Sequence, residues 1–325
     1  MSILRCDTYP ATNALLAILA CLLWSTAFAG IKIGLRYTDP FCFAGFRFML
    51  SGLMLVPFWW RKNPNQIGMI QENLKLILVV SFFQTFLLYA LFYFGITLVS
   101  GAVTAIIVGA SPLVAAILAH YCMGNDALTP SRIFSLGLGV VGVIVLCVSR
   151  EPWSSPAGLK ELAGIVLLLL STVSSAFGNI LVARDNNSME PVMLNSIQIF
   201  LGGLFLFLFS IPLEGPPRRI LPMEYYTVLF WLAALSAIAF SLWFILLRRP
   251  GTRVSEVNIW KFIIPVFGAA LSWLLLPDES PTLSSVAGMF CVALSIILFN
   301  LASLRGEKKT GRRIGIGGSG ATTAG

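Results

Sequence analysis

Read for hydropathy alone, the chain is a succession of long apolar runs separated by short polar stretches. Ten runs are long enough to cross a bilayer: 13–35, 41–60, 76–98, 102–121, 131–149, 161–183, 192–213, 225–247, 256–276 and 284–304. Each holds about 20 residues, the length at which a helix crosses roughly 30 Å of hydrocarbon. Backbone groups in lipid must bond within their own segment, so the runs predict helices; the alternating segments of a membrane barrel are not seen. The expected fold class is an all-α integral membrane protein with ten transmembrane helices. The first run has features of a signal peptide, with Arg5 ahead of ALLAILACLLWST and then Ala27-Phe28-Ala29. Its apolar character continues past that point and nine more runs follow, so it is expected to stay as the first span.

The runs repeat. Pro112, Asp126 and Thr129 match Pro265, Glu279 and Thr282, each pair 153 residues apart. Pro40 and Arg47 match Pro191 and Gln198 at 151, and Ser25, Ala27 and Phe28 match Ser174, Ala176 and Phe177 at 149. The chain therefore divides into a short cytoplasmic amino terminus (1–12), a first five-helix copy (13–149), an outer linker (150–160), a second copy (161–304) and a tail (305–325). An odd number of spans per copy puts the copies in opposite orientations, an inverted repeat of the kind found in secondary transporters, with the substrate near the bilayer midplane. Pro112 and Pro265 each fall about ten residues into their spans. Each removes a backbone donor and is expected to kink its helix and to shape the pathway.

Charge sets orientation. Of 325 residues 57% are apolar and 11% charged, with a net charge of +8. With the amino terminus inside, fifteen Lys and Arg fall in inner segments and five outside (Arg36, Arg150, Lys160, Arg218, Arg219). Both termini are expected in the cytoplasm of a multi-pass protein of the cell's inner (plasma) membrane. The tail, basic and then glycine-rich, is expected to be disordered. No basic stripe interleaved with aromatics argues for nucleic acid. Six cysteines without a CxxC pair and the lone His120 argue against a disulfide framework or a metal centre, and no cofactor is expected.

Three cations fall inside spans: Lys32 and Arg47 toward the outer face, Lys261 nearer the inner. Such charges are costly in lipid and point either to an anionic group on a substrate or to snorkelling and backbone capping. Polar stripes share helix faces: Thr172, Ser175 and Asn179; Asn195 and Gln198; Thr85, Tyr89 and Tyr93; Trp24, Phe28 and Lys32. Each lines a pathway or binds helices together. Tyr89, Phe92, Tyr93, Trp243 and Trp260 are candidate walls, and Asn258 stands beside Trp260 and Lys261. The carboxylates Asp39, Glu72, Asp126, Glu161, Glu224, Asp278 and Glu279 fall in loops or at span ends, and Glu256 begins a run. Without an acid at mid-depth, facilitated diffusion or exchange is expected over obligatory proton antiport. The candidate pathway is Trp24, Lys32, Arg47, Tyr89, Tyr93, Pro112, Ser175, Asn179, Gln198, Trp243, Asn258, Trp260, Lys261 and Pro265.

On LLWSTAFAGIKIGL, Arg47 after Pro40, the run ending in SP at Pro112, the Asp126 to Thr129 spacing, LSAIAFSLWFILL and IIPVFGAALSWLLL, residues 12–304 resemble the drug/metabolite transporter superfamily in its ten-helix EamA-type branch. The family usually has glutamate at Asp126 and glycine at Ser135, and often glycine at Ser25. The resemblance implies a carrier of small organic metabolites, often an exporter of amino acids, and not an enzyme. A translocator of a lipid or lipid-linked sugar is the alternative. The expected partners are a small-molecule substrate and membrane lipids, in a monomer or a homodimer.

Overall fold

The computed structural model describes residues 9–60, 66–109, 111–123, 130–148, 156–185, 189–215, 220–249, 257, 259–275 and 281–302, less 285, 292, 296 and 300. Asp126, Asn258, Glu279 and the tail lie outside these residues. The described chain is all-helical. In order it forms α1 (Tyr9–Gly34), α2 (Pro40–Trp59), the short α3 (Gln66–Glu72), α4 (Leu74–Leu98), α5 (Gly101–Gly109) and α6 (Ser111–Met123). Then follow α7 (Pro130–Val148), α8 (Pro156–Arg184), α9 (Pro191–Glu214), α10 (Met223–Leu247), a 3₁₀ turn (Ile259–Phe262), α11 (Ile263–Leu275) and α12 (Val286–Phe299). Six of these, α1, α2, α4, α8, α9 and α10, have the length and apolar character to span a membrane. Helix starts follow the local chemistry: Pro40, Pro130, Pro156 and Pro191 each open a helix, where a missing N–H costs nothing.

Packing repeats with the sequence. If α1, α2, α4 and α5–α6 are exchanged for α8, α9, α10 and α11, main neighbours are exchanged too. α1 lies on α10 as α8 lies on α4; α1 lies on α11 as α8 lies on α6; α2 lies on α10 as α9 lies on the middle of α4. α2 against α9 and α5 against α11 map onto themselves. The α2–α9 contact fixes the relation between the copies. Gly45 faces Phe207, Gly203 faces Phe48 and Met49, and Gly52 faces Phe200 and Ser196, so one helix ascends as the other descends. Equivalent helices that meet antiparallel are related by a two-fold axis running across them, which is the geometry of inversion. Glycines let these backbones approach closely, and Ser196 Oγ donates to the Gly52 carbonyl at 2.8 Å across the same contact.

Polar groups sort to the two ends. At one end Glu214 accepts from the Phe41 and Cys42 amides, both at 2.8 Å, capping the exposed donors of α2. Tyr37 donates to Glu224 there, and that bond holds the phenol above its ordinary pKa. At the other end Arg248 pairs with Asp185 and donates to the Met189 carbonyl, and Arg249 donates to Asn13.

Two departures from regular helix matter for the interior. Residues Ser81–Leu87 of α4 form a π-helical segment, whose wider turn offsets the register of the rest of α4. Ser174 Oγ, from α8, donates to the Phe83 carbonyl inside it at 2.6 Å. The second departure is at Pro265. The sequence predicts a kink in mid-helix, but Pro265 is the third residue of α11 and the chain before it is 3₁₀. Proline has no N–H to return to the Lys261 carbonyl, so regular α-helix starts beside it rather than bending through it. Pro112 is buried, the second residue of α6.

Candidate functional site

A cavity of about 100 Å³ lies between the copies. That is room for several waters, each needing roughly 10–15 Å³ by the same measure, or for one small solute. α1 contributes Trp24, Phe28 and Ile31; α2 contributes Arg47; α4 contributes Gln84, Tyr89 and Phe92. The second copy contributes Ser171, Thr172, Ser175 and Asn179 from α8, Phe240 and Trp243 from α10, and Lys261 from the 3₁₀ turn. The wall keeps the symmetry of the repeat. Tyr89 and Phe92 stand 151 residues before Phe240 and Trp243, and Val108 and Ser111 stand 153 before Lys261 and Ile264; all eight line the space.

Arg47 is 2% exposed and ties three helices together. Its Nη1 donates to the Tyr93 hydroxyl at 2.9 Å, its Nη2 to Ser236 Oγ at 2.8 Å, and its Nε to the same oxygen at 3.0 Å. The guanidinium carbon lies 4.9 Å from the centre of the Phe48 ring. Lys261 is 6% exposed, and its ammonium lies 4.7 Å from the centre of the Trp243 ring and 5.9 Å from that of Trp24. The two indoles meet edge-on at 5.0 Å. Gln84 Nε2 donates to Asn179 Oδ1 at 3.2 Å. Gly178 makes room for this amide, since a methyl there would come within 2.1 Å of Gln84 Oε1.

Of the residues predicted from sequence, the fold brings Trp24, Arg47, Tyr89, Ser175, Asn179, Trp243 and Lys261 onto one cavity. Others lie off its wall. Lys32 donates to the Val99 carbonyl. Tyr93 stands behind Arg47 as its acceptor. Gln198 belongs to a chain of interhelical bonds: Thr85 donates to its Oε1 at 2.7 Å, its Nε2 donates to Asn195 at 3.0 Å, and Asn195 donates to Ser241 at 3.1 Å. Trp260 packs partly buried against the core. Pro112 is not on the wall, and Asn258 and the side chain of Pro265 lie outside what the structure describes. Sequence reasoning missed Gln84, Ser111 and Phe240. A glutamine within a 25-residue apolar helix was signal enough for Gln84, and the repeat offsets point from Tyr89 to Phe240. Among the described residues no group of three metal-ligating side chains occurs.

The sequence profile of the EamA-like transporter family matches residues 12–148 and again residues 162–301. The chain belongs to this family. It thereby falls in the drug/metabolite transporter superfamily. An uncharacterized transporter of Bacillus subtilis, YvbV, is 24% identical over 90% of this chain and 92% of its own length. A protein of Escherichia coli named a probable amino-acid metabolite efflux pump is 26% identical, over 91% of this chain and 97% of that one. A protein of known crystal structure shares the fold, with a TM-score of 0.62 across 91% of this chain and 98% of that one at 16% identity. The chain is a multi-pass membrane protein of a transporter family.

Proposed function

We propose that the protein carries small organic metabolites across the plasma membrane by alternating access, as an exporter working by facilitation or exchange. The observation that carries this reading is the cavity between two inverted copies, with equivalent positions of both on its wall. Two such halves can rock about a site held between them and open it to one side at a time. The name of the E. coli relative supports amino acids or their metabolites as the solute class. In this account ten helices span the bilayer and both termini are cytoplasmic. Pro265 marks where the ninth span departs from regular α-helix.

Among the described residues no Asp or Glu stands on the cavity wall to trade a proton with the solute. The expected result in reconstituted vesicles is counterflow: labelled solute enters vesicles preloaded with the same unlabelled solute, at a rate unchanged when the pH gradient is abolished. The solute is first identified as the one whose internal level differs between cells with and without the protein. Strict dependence of uptake on the gradient would overturn facilitation and exchange.

A further inference from the structure

Seven buried side-chain atoms among the described residues have no hydrogen-bond partner, and four of them belong to residues of the cavity wall: Trp24 Nε1, Trp243 Nε1, Ser111 Oγ and Gln84 Oε1. Buried polar atoms are usually satisfied, so a concentration of orphans at one cavity indicates that what enters supplies their partners. Their chemistry is uneven. The two indole N–H groups can only donate, the serine hydroxyl can donate or accept, and only the Gln84 oxygen is restricted to accepting.

Charge points the same way. Lys261 faces the cavity from the second copy, and among the described residues no carboxylate shares the wall. The equivalent position in the first copy is Val108, also on the wall. The two halves therefore differ at this place, with an apolar residue in one and a lysine in the other. An ammonium held away from water needs a counter-charge to be inexpensive. The faces of Trp24 and Trp243 offer it partial compensation and leave its N–H donors available.

We propose that the cavity binds a small organic acid as its carboxylate, seated on Lys261 with the indole N–H groups of Trp24 and Trp243 and the Ser111 hydroxyl as further donors. A carboxylate brings about four acceptor sites to these donors. A neutral donor on the solute, such as a 2-hydroxyl, meets Gln84, and an apolar tail meets Phe28, Phe92 and Phe240. An ammonium group finds two cations, Arg47 and Lys261, and no anion among the described residues of the wall. Within the metabolite class, the site thus selects 2-hydroxy acids over zwitterionic amino acids. This deepens the carrier reading and rests on it for the claim that the bound acid is transported.

The test uses three near-isosteric probes with purified, detergent-solubilised full-length protein: 3-phenyllactate, phenylalanine and 3-phenyllactamide. Binding is read at neutral pH by calorimetry. Phenyllactate is expected to bind at least about ten-fold more tightly than either other probe, the equivalent of one charge-assisted hydrogen bond. Lys261→Met is expected to erase that margin, and Lys261→Arg to restore most of it. Trp243→Phe keeps an aromatic face, smaller than the indole, and removes one donor, so it is expected to weaken phenyllactate about five-fold; it serves as the test if Lys261→Met fails to accumulate. Equal binding of the amide or of phenylalanine, no binding by any probe, or variants that bind phenyllactate as the parent does would overturn the proposal. Lys261-dependent binding without movement across vesicles would instead sink the carrier reading and leave the anion site standing. Transport of a metabolite without affinity for phenyllactate would do the reverse.

Discussion

Gly52→Leu is expected to abolish accumulation of folded protein, while Gly137→Leu is expected to leave it unchanged. Both glycines lie in apolar helices, and both substitutions improve helix propensity by up to about 1 kcal/mol. The environments decide the outcome. A methyl at Gly52 would come within 2.6 Å of Phe200 Cβ and 2.7 Å of the Ser196 carbonyl oxygen, whereas one at Gly137 meets nothing within 4 Å. The contact at Gly52 is with the backbone and Cβ of α9, which cannot swing aside as a side-chain tip can. Overpacking a tight site costs roughly 1–3 kcal/mol for added methylenes and more where backbones must part. Here parting the helices also opens the Ser196 to Gly52 bond and the contact between the two copies. Gly52→Ala is the milder form, expected to lower the melting temperature in detergent despite the better helix former. Size-exclusion profiles of the two leucine variants, and thermal melts of Gly52→Ala against the parent, check the series.

The second large effect is expected at Arg47. Arg47→Met keeps the bulk of the side chain and removes every bond it makes to Tyr93 and Ser236. The buried Tyr93 hydroxyl is then left without its donor, at a cost of about 1–3 kcal/mol for one orphaned group. The stacking of the guanidinium on Phe48 is lost as well. Arg47→Lys keeps the charge but replaces a planar fork with a point, and a point cannot reach Tyr93 on α4 and Ser236 on α10 together. Both variants are expected to melt earlier and to transport less. Tyr93→Phe, which removes one acceptor off the cavity wall, is expected to cost about 1 kcal/mol with transport retained. An Arg47→Met protein that melts with the parent yet fails to transport would mean that Arg47 acts on the solute and not as a strut.

Much of the architecture was legible before the fold. The helices stand close to the apolar runs, because lipid leaves the backbone no alternative. The duplication was legible in Pro112 and Pro265 and in Arg47 and Gln198, since proline and intramembrane polar residues are rare enough for their spacing to carry information. The hand of the repeat followed from parity, and the antiparallel meeting of Gly45, Gly52 and Gly203 with α9 agrees with it. Side chains were harder to place. The stripe Thr85, Tyr89, Tyr93 assumes a constant period, but the π segment interrupts it. Thr85 turns to Gln198, Tyr89 faces the cavity, and Gln84, outside the stripe, faces it too. Lys32 and Lys261 look alike in sequence as single cations in apolar runs. Only packing separates them: one caps the Val99 carbonyl, and the other lies over two indoles at the cavity. Gln198 equals Arg47 by repeat position and likewise holds helices together, but only Arg47 also stands on the cavity wall.

Inverted copies require that each cross the bilayer an odd number of times. The direct test places single cysteines, Asp7→Cys, Ser154→Cys and Thr310→Cys, on a background without native cysteines and exposes intact cells to a membrane-impermeant maleimide. The expected result is labelling at position 154 in intact cells and at positions 7 and 310 only after permeabilisation. Labelling of all three from the same side of the membrane would contradict it.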